Sequence, residues 1–168
     1  MKKAIVVSLA LALASFGAAA HAEGSAPASL YVFGGEAVSN SISDLKSRSW
    51  GVEQQTDKWS LGYVNEGHQN GDKRDGIYAQ LRFPYQFSKD VVTAFSLGPY
   101  FTATTITEPD GIHYQDHYSW AAIASASVTY AVTERVSTQL RWSHVLYADQ
   151  NKDADIFLIG TGFTPKAW

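Results

Sequence analysis

The sequence has no cysteine, so neither a disulfide nor a cysteine-based metal or redox centre can be part of the fold. An exported domain without disulfides is compatible with a periplasmic route. After residue 22 no apolar run is long enough for a membrane-spanning helix. The formal net charge is −3, and no basic patch in the sequence suggests binding of nucleic acid. Two classes are left: a soluble β domain, or a closed β-barrel that crosses a membrane.

The N-terminus has the organisation of an export signal. Lys2 and Lys3 precede an apolar stretch that ends in Ala20-His21-Ala22, an A-x-A cleavage pattern. We therefore predict a signal peptide over residues 1–22 and a single mature domain over residues 23–168. Without Lys2 and Lys3, the 13 basic residues become 11 against 16 acidic ones, and the mature chain has a formal charge of −5.

The mature chain alternates apolar and polar residues and is rich in β-branched and aromatic side chains, which is the pattern of β-strands. Turn-forming residues divide it into eight segments. We predict strands at 29–37, 49–55, 58–66, 76–87, 91–105, 117–132, 136–147 and 155–164.

The connections between these segments alternate in length. The short ones are centred on Thr56-Asp57, Lys89 and Glu134, and the long hydrophilic ones cover 39–47, 67–75, 107–116 and 148–154. Tight turns at one end and longer loops at the other are typical of a bacterial outer-membrane barrel. Both ends of the mature chain then lie on the periplasmic side.

The two faces of the predicted strands differ in polarity. The fourth segment places Leu81 on one face and Arg82 on the other, and the seventh alternates Leu140 with Arg141. An eight-stranded interior holds little more than its own side chains, and large aromatic residues on most strands would overfill it. We therefore predict that the apolar face meets lipid. The polar face would line a closed interior, in which Glu53, Arg82 and Arg141 form an ion-pair network that prevents conduction.

The export signal, the eight segments and the alternation of connections resemble the small eight-stranded outer-membrane proteins. This group includes the OmpA transmembrane domain, OmpX, PagP and PagL. The segment DIFLIGTGF, with Phe163 and the terminal Trp168, resembles their last strand and the signal read by the barrel assembly machinery. The resemblance implies an all-β, antiparallel, up-and-down transmembrane barrel. It also implies location in the bacterial outer membrane, assembly as a monomer and lipopolysaccharide as a partner.

Titratable residues gather at the predicted loop end of this barrel. The candidate site residues are His68, His117, His144, Glu66, Asp116, Arg74 and Asp75. In one interpretation they are solvated loop residues of a structural or interaction protein. In a second, the carboxylates bind divalent cations that bridge lipopolysaccharide phosphates, although no spacing matches a dedicated metal site and no cofactor is predicted.

A third interpretation is acyl chemistry on lipid A. Glu66 and His68 alternate onto one face, and Asp116 with His117 starts the sixth segment. A carboxylate–histidine pair drawn from these strands would act as a general base. Arg74, beside Asp75, would hold a phosphate.

The segment RWSHVLYA resembles a strand of the PagL-type lipid A deacylases, in which an arginine precedes a lipid-facing histidine. The resemblance implies that His144 is a base. That family has a nucleophilic serine two residues later, where this chain has Leu146, and Ser143 points to the other face. We therefore predict a surface barrel that acts on or with lipopolysaccharide as a structural or interaction protein. A lipid A acyl hydrolase or acyl transferase is the alternative.

Overall fold

The computed structural model describes residues 28–40, 46–69, 72–107, 114–148 and 153–165. The predicted signal peptide and Trp168 lie outside these ranges. No helix among the described residues is long and apolar enough to cross a membrane.

Eight antiparallel strands form a closed barrel, each paired with its neighbours in the chain and the last paired with the first. This confirms the predicted fold. The strands are β1 (Ser29–Ser39), β2 (Lys46–Gln55), β3 (Trp59–Gln69), β4 (Asp72–Gln86), β5 (Val91–Thr107), β6 (Tyr114–Ala131), β7 (Val136–Tyr147) and β8 (Ala154–Phe163).

The short turns form where they were predicted, and two of them are closed by a threonine. The Thr56 hydroxyl accepts a hydrogen bond from the Trp59 N–H at 3.1 Å between β2 and β3. The Thr133 hydroxyl accepts one from the Val136 N–H at 3.0 Å between β6 and β7. Such side chain-to-backbone bonds favour a turn over continued strand pairing.

The predicted loop at 67–75 is wrong, because β3 and β4 continue to pair through most of it. β3 extends to Gln69 and β4 begins at Asp72. A β-bulge between Asn65 and Gly67 takes up one extra residue, and Gly67 has a φ of 84°, a conformation that favours glycine. Residues 70–71 lie outside the described residues.

The outer wall of the barrel is apolar, as the alternation of β4, β6 and β7 predicts. Trp120 is 67% exposed and Leu81 is 62% exposed, whereas Gln139, on an inward register, is fully buried. An apolar wall around a polar-containing interior is the arrangement of a barrel in lipid. Other exposed apolar side chains are Leu30, Val32, Phe83, Tyr85, Phe95, Leu97, Tyr118, Tyr130, Leu140, Leu146, Phe157 and Ile159.

The lumen holds the polar side chains that the alternation predicts, among them Glu53, Gln139 and Arg141, but aromatic and aliphatic side chains are buried beside them. Tyr31 and Phe33 stack inside it with their ring centroids 5.6 Å apart. Their space comes from glycines on β8: a Cβ on Gly160 would lie 2.3 Å from the Phe33 ring, and one on Gly162 would lie 2.3 Å from the Tyr31 ring. Inward glycines therefore let aromatic rings fill the lumen. The apolar cluster also contains Ala37, Val64, Ile123, Val145, Ile156 and Leu158.

Candidate functional site

The lower charge centre of the lumen consists of Glu53, Tyr78, Gln80, Ser125 and Arg141. Arg141 and Glu53 form a salt bridge, and both side chains are buried. The Tyr78 hydroxyl donates to Glu53 Oε2 at 2.8 Å, and Arg141 Nη2 donates to Ser125 Oγ at 2.9 Å and also to Gln80 Oε1. The guanidinium carbon lies 4.9 Å from the centroid of the Tyr78 ring. This buried network spans the lumen from β2 to β7.

Arg82 is not part of that ion pair, and this part of the prediction is wrong. Its guanidinium donates to the carbonyl oxygen of Thr56, and its backbone N–H donates to the carbonyl of Lys58 at 2.9 Å. No salt bridge of Arg82 occurs among the described residues. Arg82 lies beside the β2–β3 turn, where backbone carbonyls accept its hydrogen bonds.

The upper charge centre of the lumen consists of Glu66, Arg74, Tyr100 and Tyr147. The hydroxyls of Tyr100 and Tyr147 each donate to Glu66 Oε1 at 2.8 Å, and Arg74 Nε lies 3.5 Å from Glu66 Oε2. The Arg74 guanidinium carbon is 5.3 Å from the centroid of the Tyr147 ring. Glu66 is fully buried and Arg74 is 4% exposed. The prediction that these two residues belong to a surface rim is therefore wrong.

The bulge at Gly67 also separates Glu66 from His68. Strict alternation predicts that the two share a face, but the extra residue changes the register, so Glu66 points into the lumen while His68 is exposed. His68 pairs with Lys73 in the register of β3 and β4. The prediction that Glu66 and His68 share a face is wrong for this reason.

The candidate residues on β6 do not converge with Glu66 on β3, because Glu66 is buried in the lumen whereas Asp116 and His117 are exposed. Asp116 is exposed and accepts a hydrogen bond from the Thr105 hydroxyl at 2.7 Å. His117 is also exposed. Asp75 lies 3.8 Å from Lys73 Nζ. Within the described ranges, no group of three or more acidic, histidine or cysteine side chains could hold a metal ion.

His144 belongs to a polar cluster on the outer wall, which we call the outer cluster (Asn40, Trp142, His144 and Asp155). His144 Nδ1 lies 3.0 Å from Asp155 Oδ1, and the two positions are direct partners in the β7–β8 register. The Trp142 indole N–H donates to the same oxygen at 2.8 Å, and the Asn40 amide donates to Asp155 Oδ2 at 2.9 Å. A carboxylate at Nδ1 orients the imidazole and directs Nε2 away from it.

Among the described residues, no serine side chain contacts this histidine on the outer wall. Leu146 occupies the next outward position and is 47% exposed. Ser143 is buried in the lumen, where it accepts a hydrogen bond from Arg141 Nε at 3.0 Å and lies 2.9 Å from Ser125 Oγ. The outer cluster can orient a base for water, but within the described part of the chain it has no adjacent serine for covalent acyl transfer.

A group of basic side chains lies on the outer wall of β2, β3 and β4. Below it, toward the short turns, Trp50 and Tyr63 contact each other with ring centroids 5.3 Å apart. Arg48 is the next outward position above Trp50, and a Cβ on Gly67 would lie 2.5 Å from the Arg48 carbonyl oxygen, so β3 passes close to β2 here. We call this group the basic sector; it contains Lys46, Arg48, His68 and Lys73.

No protein-family model and no curated protein matches the chain. Similar solved structures exist, among them Neisserial surface protein A, with 12% identity, a TM-score of 0.67, and coverage of 85% of this chain and 100% of that one. The fold is that of the small eight-stranded outer-membrane β-barrels. The predicted location in the bacterial outer membrane agrees with this fold and with the apolar outer wall.

Two further structures of this outer-membrane barrel fold are similar over most of their length. The N-terminal barrel of OprF from Pseudomonas aeruginosa has 14% identity and a TM-score of 0.58, with coverage of 80% of this chain and 96% of that one. Ail, the attachment invasion locus protein of Yersinia pestis, has 7% identity and a TM-score of 0.53, with coverage of 81% and 95%.

Several residues of these clusters are not recognisable from the sequence. Asp155 is one of several carboxylates near His144 in the chain, and only the β7–β8 register selects it. Tyr100 and Tyr147 have no motif that connects them to Glu66. Arg48 of the basic sector lies just before the predicted segment 49–55, and β2 includes it only because the strand begins at Lys46.

Proposed function

We propose that this chain is a closed outer-membrane barrel that holds lipopolysaccharide at the cell surface and acts as a structural and interaction protein. The observation that carries the proposal is the basic sector, which lies on the outer wall just above the Trp50–Tyr63 pair. Lysine and arginine side chains form charge-assisted hydrogen bonds with phosphate oxygens. Lipid A carries such phosphates at the membrane surface.

The position of the aromatic pair supports this assignment. Tryptophan and tyrosine side chains of outer-membrane barrels collect at the boundary between hydrocarbon and head groups. Trp50 is 44% exposed on the lipid-facing wall. Lys46 and Arg48, further along β2 toward the extracellular end, then lie at the level of the lipid head groups.

The filled lumen supports an interaction role rather than conduction. The lower and upper charge centres span the lumen at two levels, and aromatic and aliphatic side chains pack with them. An eight-stranded barrel has little interior space beyond that taken by its own side chains.

Binding of purified lipopolysaccharide to the folded barrel in detergent tests the proposal. We expect Lys46→Gln/Arg48→Gln/Lys73→Gln to bind about tenfold more weakly, since each exposed ionic contact contributes a few tenths of a kcal/mol to about 1 kcal/mol. The matched control is Lys58→Gln/Lys89→Gln/Arg135→Gln, which removes the same charge at the short-turn end and should bind like the wild type.

Dephosphorylated lipopolysaccharide provides the second arm of the experiment. It should bind weakly to the wild type and to both triple variants, because the phosphate contacts are absent from all three. Equal binding of the two triple variants to intact lipopolysaccharide, or wild-type binding that does not depend on phosphate, would contradict the proposal.

A second candidate is acyl ester hydrolysis on lipid A, which the 3.0 Å His144–Asp155 contact favours. His144 Nε2 would take a proton from water, and the water oxygen would attack the ester carbonyl carbon. The ester C–O bond would then break, and the histidine proton would pass to the leaving hydroxyl group. Lipid A from cells that express wild type, His144→Ala, His68→Ala or no protein tests this candidate by mass spectrometry. Loss of one acyl chain from lipid A in cells with the wild type or His68→Ala, but not in cells with His144→Ala or no protein, would support it. Identical spectra from all four would contradict it.

Assembly as a monomer through the barrel assembly machinery is part of the proposal. The last strand, β8, ends in Phe163, whose side chain is 50% exposed on the lipid-facing wall. Phe163→Ala should slow the appearance of heat-modifiable, folded protein in outer-membrane fractions, and an unchanged rate would contradict this role.

A further inference from the structure

A groove with a volume of about 950 Å³ crosses the outer wall of the barrel from β1 to β4. It runs by way of β8, β7, β6 and β5, between two rows of outward side chains that are paired from strand to strand. Residues of the inward register form its floor: Gly35, Leu158, Arg141, Ser127 and Ala94. The lower row contains Gly34, Ile159, Leu140, Val128, Thr93 and Tyr85. The upper row contains Glu36, Phe157, Trp142, Ala126, Phe95 and Phe83.

The groove is open because short side chains interrupt both rows. Gly34 has open space in front of it, since a Cβ built there meets no atom within 4 Å. Ala126 is flanked in its row by Trp142 and Phe95, which stand higher on either side. Neighbouring strands are roughly 4.8 Å apart, so a groove across six strands is long enough for an extended hydrocarbon chain.

The extracellular end of the groove is charged, unlike the rest of it. Glu36 is exposed there and pairs in register with Phe157 on one side and Arg48 on the other. Asp155 is the next outward residue after Phe157 and is joined to the groove by the indole N–H of Trp142, at 2.8 Å. Glu36, Asp155 and Arg48 therefore occupy neighbouring outward positions on β1, β8 and β2 at this end of the groove.

We propose that the groove binds one acyl chain of a zwitterionic, amine-headed glycerophospholipid, phosphatidylethanolamine in chemical class. The apolar rows cover the chain, Arg48 contacts the phosphate, and Glu36 with Asp155 contacts the ammonium group. An anionic phospholipid without the amine would meet the carboxylates with no compensating charge. The site lies on β8, β1 and the wall from β4 to β7, and apart from Arg48 it is separate from the basic sector.

Native mass spectrometry of the full chain tests the proposal. The protein is released from vesicles that contain equal amounts of phosphatidylethanolamine and phosphatidylglycerol with identical acyl chains. We expect the wild type to retain the amine-headed lipid about two- to fivefold in excess, the range that an exposed ion pair provides. Glu36→Gln/Asp155→Asn should retain the two lipids equally.

Gly34→Leu fills the groove and should lose most retained lipid of both kinds. Ala122→Leu is the matched control, because it adds the same kind of side chain to the outer wall of β6 outside the groove. Heat-modifiable migration in gels checks that each variant is folded. Equal retention of both lipids by the wild type would overturn the head-group assignment. Equal lipid loss in Gly34→Leu and Ala122→Leu would overturn the groove.

Lys46→Gln/Lys73→Gln separates this site from lipopolysaccharide binding. Both substitutions lie outside the groove and leave Arg48 in place. We expect the variant to keep its preference for phosphatidylethanolamine, whatever its affinity for lipopolysaccharide. Loss of that preference in this variant would mean that the retained lipid is bound at the basic sector and would contradict the groove assignment.

Discussion

The lumen and the outer wall each contain a carboxylate paired with an arginine or a histidine, but the two pairs differ in their exposure to solvent. In the lower charge centre, the Arg141 and Glu53 side chains are 4% and 0% exposed. In the outer cluster, the His144 and Asp155 side chains are 26% and 23% exposed. Loss of one partner inside the lumen leaves a desolvated charge, whereas on the outer wall water reaches what remains. Breaking a lumen pair therefore destabilises the barrel, whereas the outer pair is accessible to ligands.

The largest expected effect is that of Arg141→Met. It leaves Glu53 buried without its cation, and we expect the free energy of unfolding to fall by about 3–5 kcal/mol. Urea unfolding of the barrel in phospholipid vesicles measures this loss. The double variant Glu53→Gln/Arg141→Met should recover most of it, because no buried charge is left unpaired. A double variant as unstable as Arg141→Met would show that packing, rather than charge, explains the loss.

Arg74→Met should have the next largest effect, about 2–3 kcal/mol in the same measurement. Removal of Arg141 also takes away its hydrogen bonds to Gln80 and Ser125. Arg74 lies 3.5 Å from Glu66, which keeps the hydroxyl hydrogen bonds of Tyr100 and Tyr147 when Arg74 is removed. Tyr100→Phe/Tyr147→Phe in the Arg74→Met background should bring the loss to that of Arg141→Met. Equal losses for Arg74→Met and Arg141→Met would contradict the stated role of the tyrosines.

Gly162→Ala tests how the lumen accommodates aromatic rings. A Cβ at this position would lie 2.3 Å from the ring of Tyr31, whose hydroxyl is held 2.8 Å from Ser137 Oγ. We expect a loss of about 1–3 kcal/mol from overpacking. Gly34→Ala is the control on the outer wall and should remain within about 0.5 kcal/mol of the wild type. Equal effects at the two glycines would contradict the packing argument.

Asp155→Asn should have the smallest effect, below about 1 kcal/mol, because the outer cluster is partly exposed. The same urea midpoint measures it, with His144→Ala as a second variant of the same cluster. A loss as large as that of Arg74→Met would mean that the outer cluster stabilises the barrel, and the contrast between lumen and outer wall would then fail.

The alternation of the sequence predicts the fold well where it is regular. Leu81 with Arg82 in β4, and Leu140 with Arg141 in β7, assign lipid-facing and lumen-facing sides correctly, because side chains of a strand alternate with a period of two. The prediction fails at Glu66 and His68. One extra residue at the Gly67 bulge reverses the register, and a pattern of polar residues alone does not indicate where such a bulge occurs.

The candidate site was less predictable than the fold because it depends on which strands are neighbours. Glu66 and His68 are close in sequence, yet their side chains lie on opposite sides of the barrel wall. His144 and Asp155 lie on different strands, yet His144 Nδ1 is 3.0 Å from Asp155 Oδ1. Arg74 was predicted at the surface, but it is buried against Glu66. Local spacing carries no information about these contacts between strands.

The sequence by itself determined the number of strands, the positions of the short turns and the lipid-facing side of the wall. Period-two alternation and turn residues are local properties, and an apolar outer face along every strand is favourable in contact with lipid. Only the tertiary structure decided which carboxylate meets which base, how aromatic rings fill the lumen, and where a groove crosses the outer wall. Those features depend on the pairing register and on barrel closure, which bring distant residues such as Glu53 and Arg141 together.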